Sequence, residues 1–260
     1  MYNKKGNPKK DRSANPISHH YSLKGGNNLT MSSSPIFWIL SPTYKYAERN
    51  KNLLLASDNG RKKVTKAIMK YNNRYLLLTL VLAAIAGFFF EQKLYQHESY
   101  KFINYGICIM FGWLVFVSRA LEIFKAFLDD AVEKLNGLPS ASDLLFGDRL
   151  RLAFKSYIEL MVGFGVFYYI LPSECFKGGN APFCFSTIIE SIYFSGITMA
   201  TVGYGDISPA NWFTQCLVVF QVFCGLTLAL VSFTVYTSLA LSNSKGENSR
   251  VASPNFKEPT

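Results

Sequence analysis

The stretch Thr201-Val202-Gly203-Tyr204-Gly205-Asp206 decides how the rest of this chain is read. Its two glycines accept backbone angles that other residues avoid, and they place no side chain beside the backbone. Such a loop can be drawn out so that successive carbonyls face one axis, with the Thr201 hydroxyl at its inner end. Val202 and Tyr204 can then turn back and wedge the loop against a scaffold. The flanks set the depth of this loop. Upstream, Phe185–Met199 amounts to about four turns of helix. That is too short for a bilayer, which takes about 20 apolar residues. It suits a re-entrant helix that enters halfway, with C-terminal carbonyls that favour a cation. Downstream, Trp212 to Leu241 carries no charged residue and is long enough to cross. Non-helical backbone at membrane depth is tolerated only where protein buries it or where it lines a water-filled cavity. A loop between a half-helix and a spanning helix meets that condition.

Composition agrees. The 260 residues are 49% hydrophobic, and the apolar residues are clustered, which marks an integral membrane protein rather than a large soluble core. Four apolar blocks stand out: Tyr75–Phe90, Phe102–Val117, Tyr157–Leu171 and Trp212–Leu241. Flanking aromatic and amphipathic residues extend the first three to spanning length. The polar N-terminus has no apolar core followed by a cleavage site, so no signal peptide is expected. Fifteen Lys and Arg lie between Met1 and Arg74 against three acids, while Glu91–Lys101 carries two of each sign. The positive-inside rule then sets the N-terminus in the cytoplasm and that loop outside. Four crossings return the C-terminus to the cytoplasm, and the half-helix enters from outside. The formal charge of +10 reflects this topology and contact with anionic lipid headgroups. No nucleic-acid module is visible.

The expected organisation has four parts. Residues 1–74 form a basic cytoplasmic region, polar and disordered through Ser34. Within it, Pro35–Leu40 suits the membrane interface or packing on another cytoplasmic segment, and Arg61–Tyr75 suits a helix leading into the first span. Residues 75–150 hold two transmembrane helices and a cytoplasmic linker helix. In Ser118–Leu135 the apolar positions Leu121, Phe124, Leu128, Val132 and Leu135 are spaced by three and four, which predicts an amphipathic helix. Arg119, Glu122, Lys125, Asp129 and Asp130 fall on its expected wet face. Its expected role is a solvated linker, with a docking surface on the inner mouth as the alternative. Gly137 and Pro139 end it. Residues 151–244 form a pore domain, and residues 245–260 a short cytoplasmic tail. Neither early span carries the ladder of arginines that a voltage sensor needs.

From about Leu150 to Ser244 the chain resembles the two-helix pore module of the potassium channel superfamily, with two extra N-terminal transmembrane helices. Thr198-Met-Ala-Thr-Val-Gly-Tyr-Gly-Asp206 and Ile207-Ser-Pro209 carry the resemblance. It implies an all-α membrane protein of four transmembrane helices, with a re-entrant pore helix and a selectivity-filter loop between the last two. The carbonyls of Thr201, Val202, Gly203 and Tyr204, with the Thr201 hydroxyl, would bind dehydrated K⁺, and Gly205 would close the outer end. Asp206, Tyr193, Phe194 and Thr198 would support the filter. Many relatives have threonine where this chain has Ala200, and Phe194 has no polar atom to brace Tyr204, so fewer supporting hydrogen bonds are expected. One chain supplies one loop where four are needed, so a homotetramer in the plasma membrane, passively conducting K⁺, is implied. No enzyme activity and no cofactor beyond the permeant ion are expected. A potassium uptake subunit and a non-conducting scaffold are the rival readings.

Gly225 lies 24 residues beyond Thr201, where relatives bend the inner helix to open; the alternative is a small residue permitting close helix packing. Leu226, Ala229, Phe233 and Tyr236 are candidates for the cavity wall. Glu159, ionisable within a span, is expected to pair with Lys155 or with a neighbouring helix. Glu190 bears either on the outer end of the pore helix or on the surroundings of the filter. Cys108, Cys216 and Cys224 suit small apolar positions. Cys175 and Cys184 flank an outer loop and can form a disulfide, though spacing does not establish the geometry. No metal-binding or catalytic constellation is visible, and His19, His20 and His97 fall outside the spans.

Overall fold

The structure is a computed structural model and describes residues 40–90, 101–136, 141–179, 181–232, 237 and 241. The expectations for residues 1–39, the 91–100 loop with His97, Gly137, Pro139, Phe233, Tyr236 and the 245–260 tail lie outside these residues. The described part is mostly helical: α1 (Pro42–Leu55), α2 (Gly60–Phe90), α3 (Lys101–Gly112), α4 (Ser118–Leu135), α5 (Phe146–Ile170), α6 (Ile188–Met199) and α7 (Trp212–Leu226). Two π-helical segments interrupt the ladder, Trp113–Val117 between α3 and α4 and Thr227–Ser232 after α7. The first apolar block forms the upper part of α2, which continues unbroken from the basic Arg61–Tyr75 segment. The second block runs through its π segment into α4 without a break, as its sequence suggests. Among the described residues, Trp212–Leu230 is the helix long and apolar enough to cross a membrane on both criteria. The other long helices, α2 and α5, mix apolar stretches with charged ends.

Helix α5 is the centre. It packs against α2 on one side and α6 on another. Gly165 permits the second contact: a Cβ there would sit 2.7 Å from Ile192 Cγ1 and 2.8 Å from Ile192 Cα. Polar contacts tie α2 to α5 near one end, with Asn72 Nδ2 donating to Ser156 Oγ at 2.9 Å and Lys155 Nζ to Asn73 Oδ1 at 2.7 Å. Helix α1 rests on the π-to-α junction of the α3–α4 helix. Ser41 and Thr43 hydroxyls both donate to the Ser118 carbonyl, at 2.8 and 3.0 Å.

The face that α4 buries differs from the one its periodicity predicts. Arg119, Glu122 and Lys125 are buried, whereas Val132 and Leu135 are exposed within the single chain. The charges pair inside. Arg119 Nε donates to Glu159 Oε1 at 2.8 Å and its Nη1 to Glu122 Oε1 at 2.7 Å. Arg149 meets Asp130, and Lys125 meets Asp129. Glu159 therefore pairs with Arg119 on the neighbouring helix and not with Lys155, which donates to Asn73. Helix α4 is also not a solvated linker, because it packs against the Thr227–Ser232 segment that continues α7. An isolated amphipathic pattern cannot reveal that a charged stripe has found buried counter-charges on another element.

Candidate functional site

The 201–206 loop begins in the cap of α6. Thr187 caps the helix N-terminus, its side chain accepting from Glu190 N–H at 3.2 Å, while the Glu190 carboxylate accepts from Ser186 N–H at 2.7 Å. This places Glu190 in the N-terminal turn of the helix and not beside the loop. At the other end, Thr201 N–H donates to the Thr198 carbonyl at 3.0 Å and Val202 N–H to the Ile197 carbonyl at 2.8 Å. These two bonds, with Thr201 at φ 59°, form a Schellman cap. The left-handed position of such a cap is normally glycine. A β-branched residue there is an outlier and costs about 1–2 kcal/mol. The helix carbonyls expected to face inward are partly consumed here, since those of Ile197 and Thr198 accept from the loop's first amides.

Beyond Thr201 the backbone alternates in hand. Thr201, Gly203 and Gly205 have φ of 59°, 53° and 81°, and Val202 and Tyr204 between them stay negative. Alternation of this kind turns successive peptide units the same way, which lets carbonyls line one side and N–H groups the other. Val202 and Gly203 N–H groups both aim at the Ile197 carbonyl, at 2.8 and 3.3 Å. The glycines supply the positive angles without strain.

The outer end of the loop is sewn to a small sheet of order β2-β1-β3, made by β1 (Phe176–Gly178), β2 (Ala181–Pro182) and β3 (Ser208–Pro209). Ala210 N–H and the Thr214 hydroxyl both donate to the Cys175 carbonyl, each at 2.9 Å. The hairpin pairs Lys177 with Pro182, and Phe183 N–H donates to the Phe176 carbonyl, so Cys175 and Cys184 are the next pair along. No disulfide joins them. Cys175 is buried, while Cys184 is exposed with its thiol directed to the Phe185 carbonyl at 3.9 Å. Partial burial, then Glu190 and Glu174, push the Cys184 thiol above its ordinary pKa.

The proposed supporting residues divide. Phe194 is buried in a cluster with Tyr168, Phe176 and Phe185 at ring separations of 5.4, 5.6 and 5.9 Å. It braces the helix by packing, and its lack of a polar atom is no defect there. Thr198 is buried and supplies a cap carbonyl. Tyr193, Val202 and Tyr204 are 45%, 51% and 70% exposed, and Asp206 is exposed too. Val202 and Tyr204 therefore find no scaffold among the described residues. Gly225 lies against the end of α6: a Cβ would fall 2.7 Å from Met199 Cγ and 3.0 Å from the Met199 carbonyl. That is the close-packing alternative for this glycine, and the π-helical segment starts two residues later. Leu226 is half-buried and Ala229 exposed.

A polar network behind the loop was missed by the sequence reading. Tyr168 of α5, Ser195 of α6 and Gln221 of α7 meet in the apolar interior, all fully buried. The two glutamines of the uncharged stretch after Trp212, Gln215 and Gln221, were the available signal.

Residues 156–241 match the sequence model of a family described as Ion channel. The chain is 35% identical over 72 residues to Two pore potassium channel a of Oryza sativa subsp. japonica, covering 28% of this chain and 19% of that protein. It is 36% identical over 66 residues to Potassium channel subfamily T member 1 of Homo sapiens, covering 25% and 6%. It is 33% identical over 73 residues to Protein LctB of Geobacillus stearothermophilus, covering 25% and 52%. The chain thus spans at most about half the length of these relatives. No solved structure matches it. These observations make residues 156–241 similar to ion-channel proteins. Within that similarity, the named relatives include potassium channels from a plant and from human.

Proposed function

We propose that four copies of this chain assemble around a central axis into a K⁺-selective channel. Thr201, Val202, Gly203 and Tyr204 contribute carbonyl oxygens, and Thr201 its hydroxyl, to replace the water shell of a dehydrated K⁺. Gly205 closes the outer end, and Asp206 and Tyr193 hold it from behind. The observation that carries this reading is the alternating hand at Thr201, Gly203 and Gly205, on a loop left exposed by its own chain. One such loop offers one wall of carbonyls, and a dehydrated ion must be surrounded. The exposed Val202 and Tyr204 side chains are supported in the same way, by neighbouring copies. Conduction is passive, and no cofactor takes part.

The membrane in question is the plasma membrane, crossed several times with both termini cytoplasmic. The charge bias supports this orientation. Arg61, Lys62, Lys63, Lys66, Lys70 and Arg74 are exposed along the first part of α2, where they meet anionic headgroups of the inner leaflet. Nucleic acid is not a partner.

The test is a planar bilayer holding the purified chain under a K⁺ gradient, with Na⁺ replacing most of the K⁺ on one side. A reversal potential near the K⁺ equilibrium value, abolished by Gly203→Val, is the expected result. A potential near zero refutes selectivity. Absence of current in the presence of assembled tetramer favours a non-conducting scaffold.

A further inference from the structure

Three helices are tied by one circuit of hydrogen bonds that starts and ends on α5. Tyr168 Oη of α5 donates to Gln221 Oε1 of α7 at 2.6 Å. Gln221 Nε2 donates to the Ser195 carbonyl of α6 at 3.0 Å and to Ser195 Oγ at 2.6 Å. Ser195 Oγ donates in turn to the Met161 carbonyl, back on α5, at 2.6 Å. Every donor in the circuit is used, and all run in one direction. The amide of Gln221 has a single workable orientation, because reversing it would set its oxygen against the Ser195 carbonyl. Tyr168, Ser195 and Gln221 are shielded from solvent, so a broken link leaves a buried polar group without a partner, the costly case.

The circuit sits behind the 201–206 loop. Ser195 is two residues from Ile197, whose carbonyl receives Val202 and Gly203 N–H. The ring of Tyr168 packs on Phe194 at 5.4 Å and on Phe176 of β1 at 5.4 Å. Strand β1 in turn pairs with β3 just past the loop. One side chain therefore touches both anchors of the loop, the helix at its inner end and the sheet at its outer end. The loop's first amides donate to α6, at the Thr198 and Ile197 carbonyls, so the position of α6 sets the position of the loop.

Resting on the functional reading above, we infer that Tyr168, Gln221 and Ser195 are positioning residues that hold α6 at the depth where the carbonyls of the loop bind K⁺ and reject Na⁺. None of them touches the ion. Selectivity in this chain is set from behind the pore helix, in place of hydrogen bonds beside the filter.

The experiment uses the full chain in detergent and in bilayers, with Tyr168→Phe, Ser195→Ala, Gln221→Leu and the Tyr168→Phe/Gln221→Leu pair. Hydrogen–deuterium exchange over residues 197–206 reads the loop directly, whether or not current flows. In Tyr168→Phe and Gln221→Leu, exchange of the Val202 and Gly203 amides rises about tenfold, while α2 amides are unchanged. The double variant exchanges no faster than Gln221→Leu, because both substitutions break the same link. In bilayers the Na⁺-to-K⁺ permeability ratio rises in the same order. Exchange at Val202 and Gly203 that stays at the parental rate, or that rises equally throughout the chain, overturns the inference. If the parental chain passes no K⁺ current, the functional reading fails instead, and the exchange result still decides the role of the circuit.

Discussion

Arg119 and Glu159, 40 residues apart, form a buried ion pair between α4 and α5, with Nε 2.8 Å from Oε1. Arg119 also serves Glu122, and its guanidinium lies 4.1 Å from the centre of the Tyr75 ring on α2. One cation thus joins three helices, two of them outside the family-matched stretch. Removing it strands two carboxylates away from water. Arg119→Leu is expected to cost about 3–5 kcal/mol, read as a lowered midpoint in thermal or denaturant unfolding of the solubilised protein. Glu159→Gln, which keeps one acceptor for Nε and leaves Arg119 paired with Glu122, costs less. Equal losses from the two changes would refute the account of a shared cation.

Gly225 and Met199 make a second test. Gly225→Ala drives a methyl into Met199 Cγ and close to its carbonyl, at an expected cost of about 1–3 kcal/mol. If Gly225 served only as a hinge, the alanine would leave unfolding unchanged and alter opening alone. Met199→Ala is itself destabilising, because Met199 is buried, but it removes the side chain that the methyl meets, so Gly225→Ala costs less in that background than in the parent. Unfolding midpoints for the parent, the two single variants and the double variant separate these outcomes.

Thr201 occupies the left-handed position of the α6 cap. Thr201→Gly removes the strain and is expected to stabilise the K⁺-free protein by about 1 kcal/mol. The same change removes the hydroxyl, so K⁺-dependent stabilisation falls. Comparing unfolding in K⁺ and in a large organic cation reads both effects. A K⁺-free Thr201→Gly protein that is less stable than the parent contradicts the strained-cap account.

Cys184 offers a chemical test of the outer loop. Its thiol is exposed but raised in pKa by burial and by Glu190 and Glu174. The thiolate is the reactive species, so maleimide labelling rises with pH and lags an ordinary exposed thiol near pH 8. Glu190→Gln speeds it by removing a like charge. Cys175, buried beneath the aromatic cluster, stays unlabelled until the protein unfolds. Prompt labelling of both, or of neither, in the folded protein contradicts the arrangement described.

The sequence by itself determined the elements with a strong local signal. The uncharged run after Trp212, the short helix before Thr201 and the two alternating glycines are contiguous, and their meaning follows from length, apolarity and backbone freedom. The continuation of the second apolar block into α4 was legible for the same reason. Only the tertiary structure decided which face of α4 is buried. Its period of three and four marks two faces, and a stripe of charge goes inside when Glu159 waits on α5. The partner of Glu159 was hidden similarly, since Lys155 is near in sequence but Arg119 is near in space. That Gly225 lies against Met199 was hidden for the same reason, since they meet only once α6 and α7 have packed. The Tyr168–Gln221–Ser195 circuit was invisible because its members are separated by 53 and 26 residues, and hydrogen-bond geometry exists only once three helices have packed.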